Sequence, residues 1–151
     1  MLELSIIASG TQGDVQPYIA LGKGLKEAGY NVRVLTTDDF ETLVTETGLA
    51  FYSTGESIEA ILQSEEWRKT TESGNFLAIL SRMRTEMKRR ATGIARQMPR
   101  LLEGSDLILA GTSVFGVFPV AEMLRIPVIQ AYLFPFSPTH KFPSPLTPKL
   151  P

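Results

Sequence analysis

The chain has 151 residues, 43% hydrophobic and 21% charged, with 16 acids, 15 bases and a single histidine; this is the size and balance of about one globular domain, large enough to bury a core without metal or disulfide support. It contains no cysteine, which excludes a zinc–thiolate centre, a thiol nucleophile and a disulfide scaffold and suits a reducing compartment. No apolar run approaches the roughly 20 residues that cross a bilayer, and no basic segment precedes the first apolar run, so no secretory leader is expected and a cytoplasmic location is the default.

In chain order, Leu2–Ala8 reads as a strand and Ser9–Pro17 as the turn into a helix. That helix is expected to begin at Pro17, with Tyr18, Leu21, Leu25 and Ala28 on its apolar stripe and Gly29 at its end. Asn31–Thr36 alternates as a second strand. Asp38 and Glu41 have capping-box spacing ahead of a short helix through Phe40, Leu43, Val44 and Thr47, and Leu49–Ser53 is a third strand. Residues 56–70 suggest a short polar helix carrying Ile58, Ile61, Leu62 and Trp67. A long helix follows a break at 71–75, with Phe76, Leu80, Met83, Met87, Ile94, Met98 and Leu101 as its apolar stripe and Gly93 as a point of bending. Leu107–Ala110 is a fourth, fully buried strand. A helix through Val120, Ala121, Met123 and Leu124, with Pro119 in its first turn, precedes a fifth strand in Ile126–Leu133. The alternation of strands and helices predicts an α/β fold: a Rossmann-like parallel sheet with right-handed crossovers and helices on both faces. Residues 1–133 form that domain. Residues 134–151 contain six prolines together with Phe136 and Phe142, a composition that excludes regular helix and central strand and reads as an extended loop leading out of the domain.

Ligands of open parallel sheets bind outside the carboxyl ends of the strands. Asp14, Thr112, Ser113 and Phe134 all fall at such ends. The Gly10-x-x-Gly13 spacing is not a dinucleotide fingerprint, because positions 8 and 15 are Ala and Val, and a carboxylate at 14 would repel a pyrophosphate. A phosphate-binding loop is excluded by the lack of Gly-Lys-Ser/Thr. Local sequence leaves Asp14 two readings: an acceptor for N–H groups at a helix start, where Gln16 is the better placed cap, or a functional acid at the rim. Asp38-Asp39 reads as a helix cap with a first-turn acid in preference to a metal pair.

Charge is unevenly spread. Residues 1–66 hold 11 acids and 3 bases, whereas 67–103 hold 9 bases and 3 acids. Arg82, Arg84, Lys88, Arg89, Arg90, Arg96 and Arg100 share the long helix with Glu86 alone. This is either a solvated face opposite the apolar stripe or a contact with anionic lipid, for which Arg82, Lys88, Arg89 and Arg96 are the candidates. Nucleic acid is the weaker reading, since no aromatic residues interleave with the arginines.

The run Gly10-Thr11-Gln12-Gly13-Asp14-Val15-Gln16-Pro17-Tyr18-Ile19-Ala20-Leu21, then Gly29-Tyr30-x-Val32, resembles the start of glycosyltransferases of the sterol-glucosyltransferase and antibiotic-glycosyltransferase type, families 28 and 1 of the GT-B fold. Ala121–Val128 and Pro135–Thr139 are similar to later segments of the same domain, so the resemblance spans nearly the whole chain. It implies the N-terminal, acceptor-binding half of an inverting, metal-independent enzyme. That enzyme would move a hexose from a UDP- or dTDP-sugar to a hydroxyl of a lipid, sterol or other small hydrophobic acceptor, with no cofactor beyond the nucleotide-sugar co-substrate. On this resemblance Asp14 is the general base, Gly10, Thr11, Gln12 and Gly13 face the donor, and Thr112, Ser113, Phe134, Phe136 and His140 line the acceptor site. A lone loop histidine is ordinarily solvated, and acceptor binding beside Phe134, Phe136 and Phe142 is a better reading of His140 than catalysis. Plant relatives pair a histidine base with an aspartate after the fourth strand; Gly111-Thr112-Ser113 offers no acid, which departs from that dyad. A donor domain is expected in cis, or in trans on a separate polypeptide, and the 151-residue chain is expected to be a fragment without turnover of its own. The alternative function is a non-catalytic module that uses the same rim and the basic helix to hold a lipid or a partner.

Overall fold

The structure, a computed structural model, describes residues 1–55, 63–72, 76–111, 114 and 116–134. Its elements are β1 (Glu3–Ile7), α1 (Gln12–Glu27), β2 (Asn31–Thr36), a 3-10 turn (Asp38–Phe40) running into α2 (Glu41–Thr45), and β3 (Ala50–Ser53). They continue with α3 (Glu65–Glu72), α4 (Phe76–Leu101), β4 (Leu107–Ala110), α5 (Val117–Leu124) and β5 (Val128–Gln130). The five strands form one parallel sheet in the order β3-β2-β1-β4-β5, an α/β Rossmann-like architecture.

Alternation along the strands divides the core in two. On one face Leu4, Ile6, Ala8, Val32, Val34 and Leu109 pack under Val15, Tyr18 and Ile19 of α1 and Val44 of α2. On the other, Ile7, Leu35, Ile108 and Ala110 meet Met98 and Leu102 at the end of α4 and Val117, Val120 and Ala121 of α5. β4 reads as a continuous apolar run because both of its faces are covered.

Several expectations are corrected. The first helix starts at Gln12, five residues before Pro17, so Pro17 lies inside it and Gln16 is not its cap. Its buried face is Val15, Tyr18, Ile19 and Gly22, and Leu21 is 41% exposed. The sequence carries two apolar sets with helical spacing, and the capped turn at Thr11 sets which of them faces the sheet. Pro17 is tolerated because the carbonyl it leaves without an intrahelical donor is that of Gly13, an exposed residue of the first turn. The 3-10 turn is preceded by Thr37 at the cap position, while Asp38 uses its carboxylate to accept the Ser53 hydroxyl. The long helix is continuous through Gly93. Met98 is fully buried and Ile94 and Leu101 pack against the core as expected; the Phe76, Leu80, Met83 and Met87 side chains lie outside the described ones. Met123 is 64% exposed, not part of the buried stripe. Strand β5 is shorter than expected, and the polar helix around Ile58, Ile61 and Leu62 falls outside the described residues.

A polar clasp holds the central strands in register. Arg33 on β2 donates through Nε to Ser5 Oγ on β1 (2.8 Å) and through its terminal nitrogen to Ser105 Oγ (2.8 Å) and the Glu103 carbonyl (2.7 Å). Ser5 and Ser105 share a further hydrogen bond of 2.6 Å, and the guanidinium lies 5.4 Å from the centroid of the Tyr52 ring on β3. This ties three strands to the segment entering β4, at the end of the sheet away from the rim.

Candidate functional site

The sequential strands β1, β2 and β3 run to one side of the sheet and β4 and β5 to the other, so the order switches between β1 and β4. Ile7 pairs with Ala110 at the last position of that ladder. Chains leaving neighbouring strands there diverge to opposite faces and open a crevice, the place where parallel α/β sheets take their ligands. The turn from β1 into α1 forms one wall of it.

In this turn Asp14 is the third residue of α1 and reaches back to the residue before the helix. Its Oδ2 accepts the Thr11 backbone N–H at 2.8 Å and the Thr11 hydroxyl at 2.9 Å, in a capping-box arrangement. Among the described residues its other oxygen, Oδ1, takes no hydrogen bond. The carboxylate is half-buried. Gly10 has φ +136°, and a Cβ there would lie 2.5 Å from Asp14 Oδ2. Glycine at 10 is therefore required twice, by the backbone conformation and by the room the carboxylate occupies. Gln12 and Gly13 are the first two helical residues, whose N–H groups have no acceptor within a helix. The turn thus presents a fixed carboxylate beside outward-pointing N–H donors.

Tyr18, a stripe residue of α1, does more than fill the core. It is 3% exposed, and its hydroxyl donates to the Ala131 carbonyl just past β5. The Ala131 N–H in turn donates to the Ala110 carbonyl at 3.0 Å. A Cβ on Gly111 would come within 3.1 Å of the Tyr18 ring and 3.2 Å of the Ile7 carbonyl. One turn after Asp14, Tyr18 therefore crosses the crevice floor and joins α1 to the exits of β4 and β5. No local signal announces this link, because its partners lie more than 90 residues away in the chain.

Phe134, 43% exposed, follows Ala131 by three residues on the same exit. Thr112, Ser113, Phe136 and His140 lie outside the described residues, as does the loop 135–151. Thr36 and Thr37, at the end of β2, are buried with hydroxyls that have no partner among the described residues, a feature the sequence did not single out. No group of three or more acidic, histidine or cysteine side chains able to hold a metal ion occurs among the described residues. Arg82 is half-buried, and Lys88, Arg89 and Arg96 are exposed along α4, away from Asp14 in the chain. Among the described residues no helix is long and apolar enough to cross a membrane.

Comparison with known proteins is consistent along the whole domain. Residues 4–143 match the family described as glycosyltransferase family 28 N-terminal domain. The chain is 30% identical over 140 residues to a sterol 3-beta-glucosyltransferase of Debaryomyces hansenii, covering 92% of this chain and 9% of that protein. It is 30% identical over 155 residues to one of Arabidopsis thaliana, covering 96% of this chain and 24% of that protein. The chain therefore spans less than a quarter of the length of these relatives. Among solved structures, the Streptomyces sp. SF2575 glycosyltransferase SsfS6 superposes with a TM-score of 0.62 at 24% identity, over 87% of this chain and 39% of that one. A second structure of SsfS6 holds thymidine diphosphate.

Proposed function

The chain belongs to glycosyltransferase family 28, as an N-terminal domain, and on that premise we propose that it is the acceptor-binding half of a two-domain enzyme, residues 1–133 forming the domain. The enzyme moves a hexose from a nucleotide-sugar to the hydroxyl of a sterol or another small hydrophobic acceptor. The observation that carries the reading is the Asp14 carboxylate at the switch point, held by Thr11 through one oxygen and open at the other.

A hydroxyl is a weak nucleophile, and displacement at an anomeric carbon needs a base within hydrogen-bond reach of its proton. In the proposed step Asp14 Oδ1 accepts that proton. The acceptor oxygen forms its bond to the anomeric carbon as the bond from that carbon to the nucleotide diphosphate breaks, and the diphosphate leaves with the electron pair. Attack from the face opposite the leaving group inverts the anomeric centre. The capping box matters because it fixes the rotamer: a carboxylate with one oxygen anchored need not be ordered at the moment of reaction. Once Asp14 has taken the proton and no longer repels an anion, the N–H groups of Gln12 and Gly13, at the positive end of α1, are suited to steady the negative charge of the departing diphosphate. That role needs no metal, and the acceptor would lie along the exits of β4 and β5, past Thr112, Ser113, Phe134, Phe136 and His140.

The test uses this domain joined to a donor domain, with UDP-glucose and a sterol. Asp14→Asn is expected to lower kcat by roughly 10²–10⁴-fold, the range for loss of a general base, with an unchanged circular dichroism spectrum. Asparagine keeps an oxygen for the Thr11 N–H and so retains most of the cap. An unchanged kcat would reduce Asp14 to a cap. The anomeric coupling constant of the product reports inversion, and an assay in excess EDTA reports independence from metal.

A further inference from the structure

The proposed base and the proposed acceptor wall belong to distant parts of the chain, and one side chain joins them. Asp14 and Tyr18 stand four residues apart in α1, so their side chains leave the same face of the helix, with Cβ atoms about 5–6 Å from each other. Tyr18 is 3% exposed and meets two strand exits. Its hydroxyl donates to the Ala131 carbonyl after β5. Its ring lies so close to Gly111, after β4, that a Cβ there would stand 3.1 Å from it. Both exits are also tied to the sheet: the Gly111 N–H donates to the Ile7 carbonyl at 2.8 Å, and the Ala131 N–H to the Ala110 carbonyl at 3.0 Å. Ala131 is thus held through both of its backbone groups, one of them by Tyr18. The segments proposed to line the acceptor leave directly from these contacts. Thr112 and Ser113 follow Gly111 in the chain. Phe134, 43% exposed, follows Ala131 by three residues, at most about 11 Å of extended chain.

We propose that Tyr18 is a positioning residue for the acceptor: its ring and hydroxyl fix the exits of β4 and β5 relative to the Asp14 carboxylate one turn away. This role rests on the domain being the acceptor-binding half, and it is exerted through neighbours, since Tyr18 is buried. Proton transfer to Asp14 Oδ1 requires the acceptor oxygen within hydrogen-bond reach of the carboxylate, and a misplacement of the order of 1 Å costs about 100-fold in rate. Core packing alone would accept phenylalanine at this position, because its ring fills the same space. The hydroxyl is the part that packing does not call for. Once buried it must find a hydrogen-bond partner, and the partner it finds is on the segment that carries Phe134. The proposed donor contacts, the N–H groups of Gln12 and Gly13, belong instead to the first turn of α1, which Thr11 and Asp14 close without Tyr18. Loss of the hydroxyl therefore acts on the acceptor and spares the donor.

The experiment compares wild type, Tyr18→Phe and Asp14→Asn in this domain joined to a donor domain, with UDP-glucose and a sterol, at a temperature where circular dichroism shows each to be folded. Tyr18→Phe is expected to lower kcat/KM for the sterol by about 10–100-fold, largely through a raised sterol KM, with the KM for UDP-glucose unchanged. The acid limb of its pH–kcat profile should persist, because Asp14 is still present. Asp14→Asn is expected to give the opposite split, a loss of kcat with the sterol KM retained. A tyrosine that served stability alone would lower the thermal midpoint of Tyr18→Phe and leave both KM values unchanged. That result would overturn the proposal, as would a rise of the same size in both KM values. If Asp14→Asn keeps its kcat while Tyr18→Phe still raises the sterol KM alone, the base assignment fails and the latch stands. Hydrogen exchange gives a second reading that needs no turnover. The amides of residues 131–134 should exchange faster in Tyr18→Phe, while those of Asp14 and Val15, bonded to the Thr11 carbonyl, keep their wild-type rates. Equal acceleration in both segments would count against the latch as decisively as unchanged kinetics.

Discussion

Asp14 uses its two oxygens differently. Oδ2 closes the start of α1 on Thr11, whereas Oδ1, the proposed base, takes no hydrogen bond among the described residues. Gly10 makes the arrangement possible, and Gly10→Ala sets a methyl group against Oδ2 while forcing φ +136° on a residue with a Cβ. The expected cost is about 1–3 kcal/mol, read as a lowered midpoint in urea, together with loss of activity in the two-domain enzyme because the carboxylate is displaced. A variant with wild-type stability would show that the turn relaxes freely and that Asp14 is not pinned. Thr36 gives the opposite expectation. Its hydroxyl is fully buried without a partner among the described residues, so Thr36→Val removes an unmet polar group at nearly constant shape. The variant should be neutral or more stable by about 1 kcal/mol; a clear loss of stability would mean that the hydroxyl has a partner in solution. The sequence made Asp14 and both glycines legible, since acid and glycine in a strand-to-helix turn have few uses. It did not show which oxygen does what.

At the scale of elements, the proposed site rests on α1. Its N-terminal turn carries Asp14, and its next turn carries Tyr18, which fastens it to Ala131 and leans on Gly111. Tyr18→Phe keeps the ring and deletes the hydrogen bond. It leaves a half-buried carbonyl unpaired at an expected cost of about 1–3 kcal/mol. Faster hydrogen exchange at the Ala131 amide should accompany that loss, because this amide is bonded to Ala110 beside the same latch. Unchanged exchange at Ala131 would show that the strand exit is held by other contacts. Helix boundaries are set by contacts that local sequence specifies weakly. Pro17 marks a helix start when it is the first helical residue, but it is also tolerated later when the carbonyl it strands is exposed. The capping pair Thr11 and Asp14, three residues apart, was the better signal. Asp38 and Glu41 have the same spacing, yet there the carboxylate turned to Ser53, a partner 15 residues away that spacing alone does not reveal.

For the whole molecule, the chain spans 9% and 24% of the lengths of the two sterol glucosyltransferases compared above, and the proposed site has one wall here. The 151-residue chain on its own is therefore expected to give no measurable transfer from UDP-glucose to a sterol in a radiometric assay. Turnover by that chain would refute the division of labour between two domains. The sequence by itself determined the α/β class, the order of the elements, the family and the acid at the first turn. These follow from local periodicity, from turn chemistry and from a motif contiguous in the chain. It could not supply the phase of α1 against the sheet, the Tyr18 latch, the Arg33 clasp through Ser5 and Ser105, or the buried hydroxyls at the end of β2. Each of those depends on which distant residues the crossovers bring side by side. That was decided only when β4 took its place beside β1, setting residues about 100 positions apart within hydrogen-bond reach.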